Sequence, residues 1–286
     1  MVLEKKILIN GRYEQHELLA SGGLSHIYLG WDYKDSHAVA IKRLRTEMKD
    51  AVEQETLNAH EVACLRAVQH ENVMSLYASG EDELGHYQIM ELITGPNLQS
   101  IIDSVMPAVS DFVELAGQAL SGLNALHEKS VIHCDIKPDN IMLTLLSNGR
   151  VRIKIIDFGL ARFDGFTEEL NEAAREEIFG APEFVSPELL EGKNPTMLSD
   201  IYALGHVLYY LLAGRPAFEK DLLNDILRAH LNEQPVSLLT LRPDISMDLS
   251  NWVHQFIERY PEARHPSAEC ALKELKNLRL STHAEV

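Results

Sequence analysis

The pattern of apolar residues changes character near residue 93, and that change constrains the fold more than any other feature of the chain. Upstream, short strand-like runs recur at Tyr13 to Leu19, His26 to Trp31, Ala38 to Arg43, Val73 to Ala78 and Tyr87 to Glu91, parted by turns such as Lys34-Asp35-Ser36. One helical pattern interrupts them from about Asp50 to Val68, where Val52, Leu57, Glu61, Cys64, Leu65 and Val68 fall at helical spacing. Downstream, helices dominate. Phe112 to Leu126 is amphipathic, Leu198 to Leu212 is apolar on nearly every face, and shorter patterns follow around 220–230, 247–259 and 267–278. The expectation is an α+β chain: a tail over 1–12, a small five-stranded β lobe with one helix over 13–93, a larger and mainly helical lobe over 94–280, and a second tail over 281–286.

The formal charge of −17, from 26 Lys and Arg against 43 Asp and Glu, argues against nucleic acid as a partner, because phosphate-backbone affinity comes from neutralising cations. Cys64, Cys134 and Cys270 lie far apart and suggest neither a disulfide framework nor a zinc site, so a reducing, cytoplasmic setting is expected, alone or as the cytoplasmic part of a larger protein. The most apolar stretch, Ile201 to Ala213, is too short to cross a bilayer, and no membrane contact is expected of this chain.

Two segments carry the chemistry. His133-Cys134-Asp135-Ile136-Lys137-Pro138-Asp139-Asn140 is a dense polar run between the apolar pairs Val131-Ile132 and Ile141-Met142. Ile153-Lys154-Ile155-Ile156-Asp157-Phe158-Gly159 is an apolar strand that delivers a carboxylate at its end, with a glycine that lets the chain turn. Singly, each also reads as a surface loop or a strand terminus. Together they supply Asp135, Asn140 and Asp157, hard oxygen donors suited to magnesium, which keeps waters and phosphate oxygens as its other ligands. Upstream, Ala20-Ser21-Gly22-Gly23-Leu24-Ser25 joins two strand patterns; its glycines let backbone amides approach phosphate, though a plain hairpin explains them equally well. Lys42, on the strand Val39-Ala40-Ile41-Lys42, offers a cation to an anionic ligand, although most strand lysines are solvated edge residues.

These motifs, in this order, resemble the eukaryotic-type protein kinases, over about Tyr13 to Leu278, and Gly22-Gly23-Leu24-Ser25 followed by Ile27-Tyr28-Leu29 looks most like the bacterial serine/threonine branch. The resemblance implies a bilobal kinase fold that uses ATP and magnesium, with manganese as a possible substitute, and a protein substrate. It makes Lys42 the phosphate-binding lysine, paired with Glu61 or, in reserve, Glu55. Asp135 becomes the catalytic base, Lys137 a contact to the transferring phosphate, and Asn140 and Asp157 the metal ligands. It implies that Ala20, Ser21, Gly22, Gly23, Leu24 and Ser25 cover the phosphates, that Ile27, Ala40 and Met142 clamp adenine, that Met90 closes the back of the pocket, and that Glu91 to Ile93 bond the base. Glu188 should pair with Arg264, Asp200 should brace the catalytic loop, and His133 should be architectural, packing near Phe158 with Leu65 and Leu76.

The chain departs from the pattern in four places. Ala20 and Ser25 stand where the phosphate loop usually has glycines, and Ala181 stands where a threonine usually bridges the catalytic Asp and Lys. Cys134 replaces the arginine that receives an activation-loop phosphate in many kinases. The loop from Arg162 to Phe179 has one hydroxyl, Thr167, among Glu168, Glu169, Glu172, Glu176 and Glu177. Activity without phosphorylation of that loop is therefore expected. The Glu-rich loop fits a solvated acidic face better than a dock for basic substrates. The rival readings are a pseudokinase-like nucleotide-binding scaffold and a small-molecule kinase of the same fold; the retained Lys42, Asp135, Asn140 and Asp157 speak against the first, and Pro182-Glu183-Phe184 resembles a peptide-docking loop.

Overall fold

In a computed structural model of the chain, residues 7–22, 25–45, 51–165 and 180–278 are described, with side chains from Asn58 onward in the first helix. The chain divides into two compact units, one made of Met1–His70 with Met74–Thr94, the other of Glu71–Val73 with Gly95–Val286.

The first unit is an antiparallel sheet, six-stranded among the described residues, with one helix. Its strands are β1 (Ile7–Ile9), β2 (Tyr13–Ser21), β3 (Ser25–Asp32), β4 (His37–Leu44), β5 (Leu76–Asp82) and β6 (Gly85–Glu91), in spatial order β1-β2-β3-β4-β6-β5. The helix α1 (Ala51–Ala67) falls between β4 and β5 in the chain. Alternate side chains on the strands build the core, with Ile9, Tyr13, Val39, Ile41, Tyr87 and Ile89 packed together. The sheet corrects the expected five strands to six. Ile7–Ile9, inside the stretch expected to be a tail, pairs with β2 in the register Ile7↔Gln15 and Ile9↔Tyr13. Three residues are too few to display an alternation, so the strand shows itself in its pairing with β2 and in the burial of Ile9. The strand expected over Val73 to Ala78 runs instead over Leu76–Asp82. Its second half, Ser79-Gly80-Glu81-Asp82, has poor strand composition and is held by backbone pairing to β6.

The second unit begins, after Glu71–Val73, with α2 (Leu98–Ile102) and α3 (Val109–His127). Then come β7 (Val131–Ile132), a tight 3-10 turn at Pro138–Asn140, the hairpin β8 (Ile141–Leu145) with β9 (Val151–Ile155), and β10 (Arg162–Phe163). Beyond a second such turn at Pro182–Phe184 lie α4 (Pro187–Leu190), α5 (Met197–Ala213), α6 (Leu223–Asn232), α7 (Leu238–Leu241), α8 (Met247–Phe256) and α9 (Ala268–Leu275). As its composition demands, α5 is buried almost throughout, from Ser199 to Tyr209 and again at Leu211 and Leu212. It starts in a reciprocal cap between Thr196 and Ser199 and stops at Gly214, whose φ of 70° suits glycine. Helix α5 packs on α8, and α3 packs on α9 and β9. No helix among the described residues is long and apolar enough to cross a membrane.

Candidate active site

In the first unit, Lys42 sits on β4 between Ile27 of β3 and Gln88 of β6. Its Nζ lies 2.5 Å from Oε1 of Glu61 on α1. Gln88 Nε2 donates to the other oxygen, Oε2, at 3.0 Å, and to Asn58 Oδ1 at 3.1 Å. A buried ion pair needs its spare lone pairs satisfied, and Gln88 does this for Glu61. Glu61 is thus a partner of Lys42, while the side chain of the reserve candidate Glu55 lies outside the described residues. Gln88 escaped the sequence reading; its signal was one polar residue in the run Tyr87-Gln88-Ile89-Met90.

Ala20 and Ser21 belong to the end of β2, with Ala20 opposite Ile27, and Gly22 donates its amide to Ser25 O at 2.9 Å. Gly23 and Leu24 lie outside the described residues. Ala40 stands between Leu29 and Met90, both of them in register with it, and Met90 is buried. Glu91 ends β6 with its amide donating to Ser75 O at 2.9 Å, and Ile93 follows the strand.

In the second unit, Asp200 organises the polar run. It projects from the first turn of α5, fully buried, and accepts three hydrogen bonds: the His133 amide at 2.8 Å on Oδ2, the Cys134 amide at 2.9 Å on Oδ1, and His127 Nε2 at 3.0 Å on Oδ2. Three donors compensate a buried carboxylate. His127, at the end of α3, is a second residue that the sequence reading missed, since only the fold brings it to Asp200. His133 accepts the Asp135 amide on Nδ1 at 3.3 Å, so Nε2 carries the proton and donates to Ile156 O at 3.1 Å. Its ring meets Phe158 edge-on at 4.9 Å, as expected of an architectural residue.

Asp135 therefore emerges from a braced backbone. Its Oδ2 receives Lys137 Nζ at 2.8 Å and Asn140 Nδ2 at 2.7 Å, while Oδ1 accepts no hydrogen bond among the described residues. Burial pushes the Asp135 carboxyl above its ordinary value; Lys137 and His133 pull against that, the Asp157 charge adds to it, and the net shift is upward. Asn140 Nδ2 also donates to Asp135 O at 2.9 Å. The β8–β9 hairpin brings Asn140 and Asp157 to one end, because Ile141 stands opposite Ile155 and the Ile156 amide donates to Asn140 O at 2.9 Å. Met142 lies on β8 opposite Lys154.

Two residues here hold left-handed backbone without being glycine: Cys134 at φ 65° and Asp157 at φ 62°. Each stores about 1–2 kcal/mol of strain, which surrounding contacts must hold. For Cys134 those contacts include the amide bond to Asp200 and packing against the buried pair Leu160 and Val185.

Further along, Glu188 accepts Arg264 Nη1 at 2.9 Å and Nη2 at 2.7 Å, and Ser199 Oγ at 2.7 Å. Burial would raise this carboxyl, but Arg264 and Ser199 outweigh it and hold it below its ordinary value. The expected Glu188–Arg264 pair is present, as is the Asp200 brace. His230 of α6 donates Nε2–H to Pro182 O at 2.9 Å and accepts the Tyr202 hydroxyl on Nδ1 at 2.7 Å, anchoring the Pro182–Phe184 turn. A cavity of about 320 Å³, lined in part by Gln99, Lys137, Asp139, Glu183 and Tyr210, opens beside Lys137. Thr167, Glu168, Glu169, Glu172, Glu176 and Glu177 lie outside the described residues.

The chain matches the family described as protein kinase domain over residues 13–275. It is 30% identical to the serine/threonine-protein kinase PknB of Mycobacterium leprae, over 91% of this chain and 42% of that protein. It is 31% identical to the serine/threonine-protein kinase PksC of Streptomyces coelicolor, over 98% of this chain and 51% of that protein. To PknB of Mycobacterium tuberculosis it is 30% identical, over 91% of this chain and 42% of that protein. The chain thus spans about half the length, or less, of these relatives.

Proposed function

Because this chain belongs to the protein kinase family, we propose that it moves the terminal phosphoryl group of ATP, in the presence of magnesium, onto serine or threonine hydroxyls of a protein substrate. One observation carries this reading: Lys137 and Asn140 both bond to Oδ2 of Asp135, which leaves Oδ1 to meet an acceptor hydroxyl. Phosphoryl transfer asks the protein mainly for positioning and charge. Asp135 orients the hydroxyl and takes its proton as the new bond to phosphorus forms. Lys137, already 2.8 Å from Asp135, offsets the negative charge gathered between acceptor and phosphoryl group. Lys42, oriented by Glu61, holds the phosphate oxygens of the nucleotide. By the family's pattern, the turn from Ala20 to Ser25 would cover those phosphates, Ile27, Ala40 and Met142 would hold the base, and Met90, Glu91 and Ile93 would bound it.

The donors suit magnesium. Asn140 directs its Nδ2 hydrogens to Asp135, which turns Oδ1 outward, and Asp157 adds a carboxylate; two hard protein oxygens are the usual complement for an ion whose other ligands are water and phosphate. Bound there, the ion would neutralise charge on the phosphates.

Cys134 supports activity without an activation-loop phosphate. Where an arginine would need an anion, this side chain packs against the pair Leu160 and Val185, an apolar contact that joins residues on both sides of the 166–179 segment. Thr167→Ala should accordingly keep most of the activity, measured as initial rates on a protein substrate; a near-dead variant refutes the idea.

The central test incubates the chain with magnesium and labelled ATP, alone and with basic proteins. Label on serine or threonine is expected, with kcat falling ~10³-fold in Asp135→Ala and the label lost in Asp157→Ala. Nucleotide binding without transfer would point to a scaffold instead, and transfer only to sugar-like acceptors to a small-molecule kinase.

A further inference from the structure

The hydroxyl of Ser186 is an anomaly. The residue is 1% exposed, and its Oγ has no hydrogen-bond partner among the described residues. It occupies the N-cap position of α4, where a serine ordinarily accepts an amide of the first turn, yet its side chain makes no capping bond; only its carbonyl accepts, from Leu189 N at 3.0 Å and Leu190 N at 3.3 Å. A buried hydroxyl left unpaired is unfavourable by about 1–3 kcal/mol, so a native one calls for a partner. Ser186 also lines a cavity of about 20 Å³ whose other walls include Asp135, Cys134, Ala181 and Asp200. That is room for one water molecule, which needs two to four polar partners, and the residues of these walls include two carboxylates, Asp135 and Asp200, and two hydroxyls, Ser186 and Ser199.

We propose that Ser186 is a positioning residue for phosphoryl transfer, its hydroxyl bound to one ordered water that bridges it to the loop carrying Asp135. The arrangement bears on the departure at Ala181. The hydroxyl missing at Ala181 is supplied from Ser186, across the same cavity. Asp135 then gains through water the lateral support that a side chain at 181 would have given directly. A bridging water is enthalpically close to a direct hydrogen bond, so the substitution retains most of the support.

The inference rests on the transferase reading, and the test separates the two. In the full chain, Ser186→Ala should lower kcat about tenfold with the KM for ATP unchanged, because orientation of the base and not nucleotide binding is affected. Adding Ala181→Thr to Ser186→Ala should return kcat to within about twofold of the parent, a rescue that lost packing alone would not permit. Ser186→Ala at the parental kcat, or a loss that Ala181→Thr leaves untouched, overturns the proposal. Independently of folding of the variants or of any transfer, a high-resolution crystal structure of the parent should place a water within hydrogen-bond reach of Ser186 Oγ and of the Asp135 or Asp200 carboxylate; a dry cavity overturns it. An inactive parent would sink the transferase reading and this role with it, whereas an active parent with a dry cavity would sink this proposal alone.

Discussion

Arg264 is the side chain whose removal should damage the second unit most. Its guanidinium is wholly enclosed, makes a two-pronged pair with Glu188, lies over the Tyr202 ring at 4.6 Å, and donates to the carbonyls of Leu198, Glu258 and Arg259. Arg264→Ala would strand the Glu188 carboxylate in the interior, which costs about 3–5 kcal/mol. Urea unfolding should show that loss, and a variant within ~1 kcal/mol of the parent would mean that Glu188 finds other partners. Asp135, Asn140 and Asp157 were legible in the sequence because polar groups set between apolar runs announce themselves, whereas Asp200, Glu188 and Arg264 were expected only from the resemblance to the kinase family. Gln88, His127 and Ser186 were not legible. Each is an ordinary polar residue until folding places it against Glu61, Asp200 or the cavity beside Asp135.

Among the elements, α5 was read almost to its ends, since a helix apolar on every face has nowhere to lie but inside. What composition hides is how near its neighbour comes. Gly205 faces α8 so closely that a Cβ there would lie 2.3 Å from Phe256 Cβ. Alanine would favour the helix by ~1 kcal/mol, yet overpacking costs about 1–3 kcal/mol, and here the obstacle is the root of a side chain that cannot swing away. Gly205→Ala should therefore lower the midpoint of thermal unfolding; an unchanged or raised midpoint would mean that α5 and α8 slide apart freely. Strands were read less well than helices for a physical reason. A three-residue strand such as β1 has no room for a period, and the polar end of β5 is held by backbone bonds that no side chain advertises.

At the scale of the whole molecule, stability should depend on pH through buried histidines. Burial pushes His230 down to about 4, against a weaker upward pull from the Pro182 carbonyl, and holds His206 well below its ordinary value, with His230 and Arg264 adding to that. In the unfolded chain both would take up a proton near pH 6.5, so between about pH 4 and pH 6.5 the unfolded state binds more protons and stability must rise with pH. Burial of His230 alone accounts for ~3 kcal/mol across that window. Urea titrations at several pH values should show the rise, and His230→Gln should flatten it; a level profile in the parent contradicts the burial. The division of the chain has a practical consequence for taking it apart. Residues 71–73 are separated from 95 onward by the last two strands of the sheet, yet Asn72 donates to Gln118 Oε1 and Ile153 O at 3.1 Å each and accepts the Ile155 amide at 2.9 Å. A truncation beginning at Gly95 would strip the Ile153 carbonyl and the Ile155 amide of their Asn72 partners, and Gln118 of one of its own, along with the enclosed side chain of Val73, so no single cut frees an intact helical unit. Genetic dissection of this protein must carry that short tether along or supply it as a separate peptide.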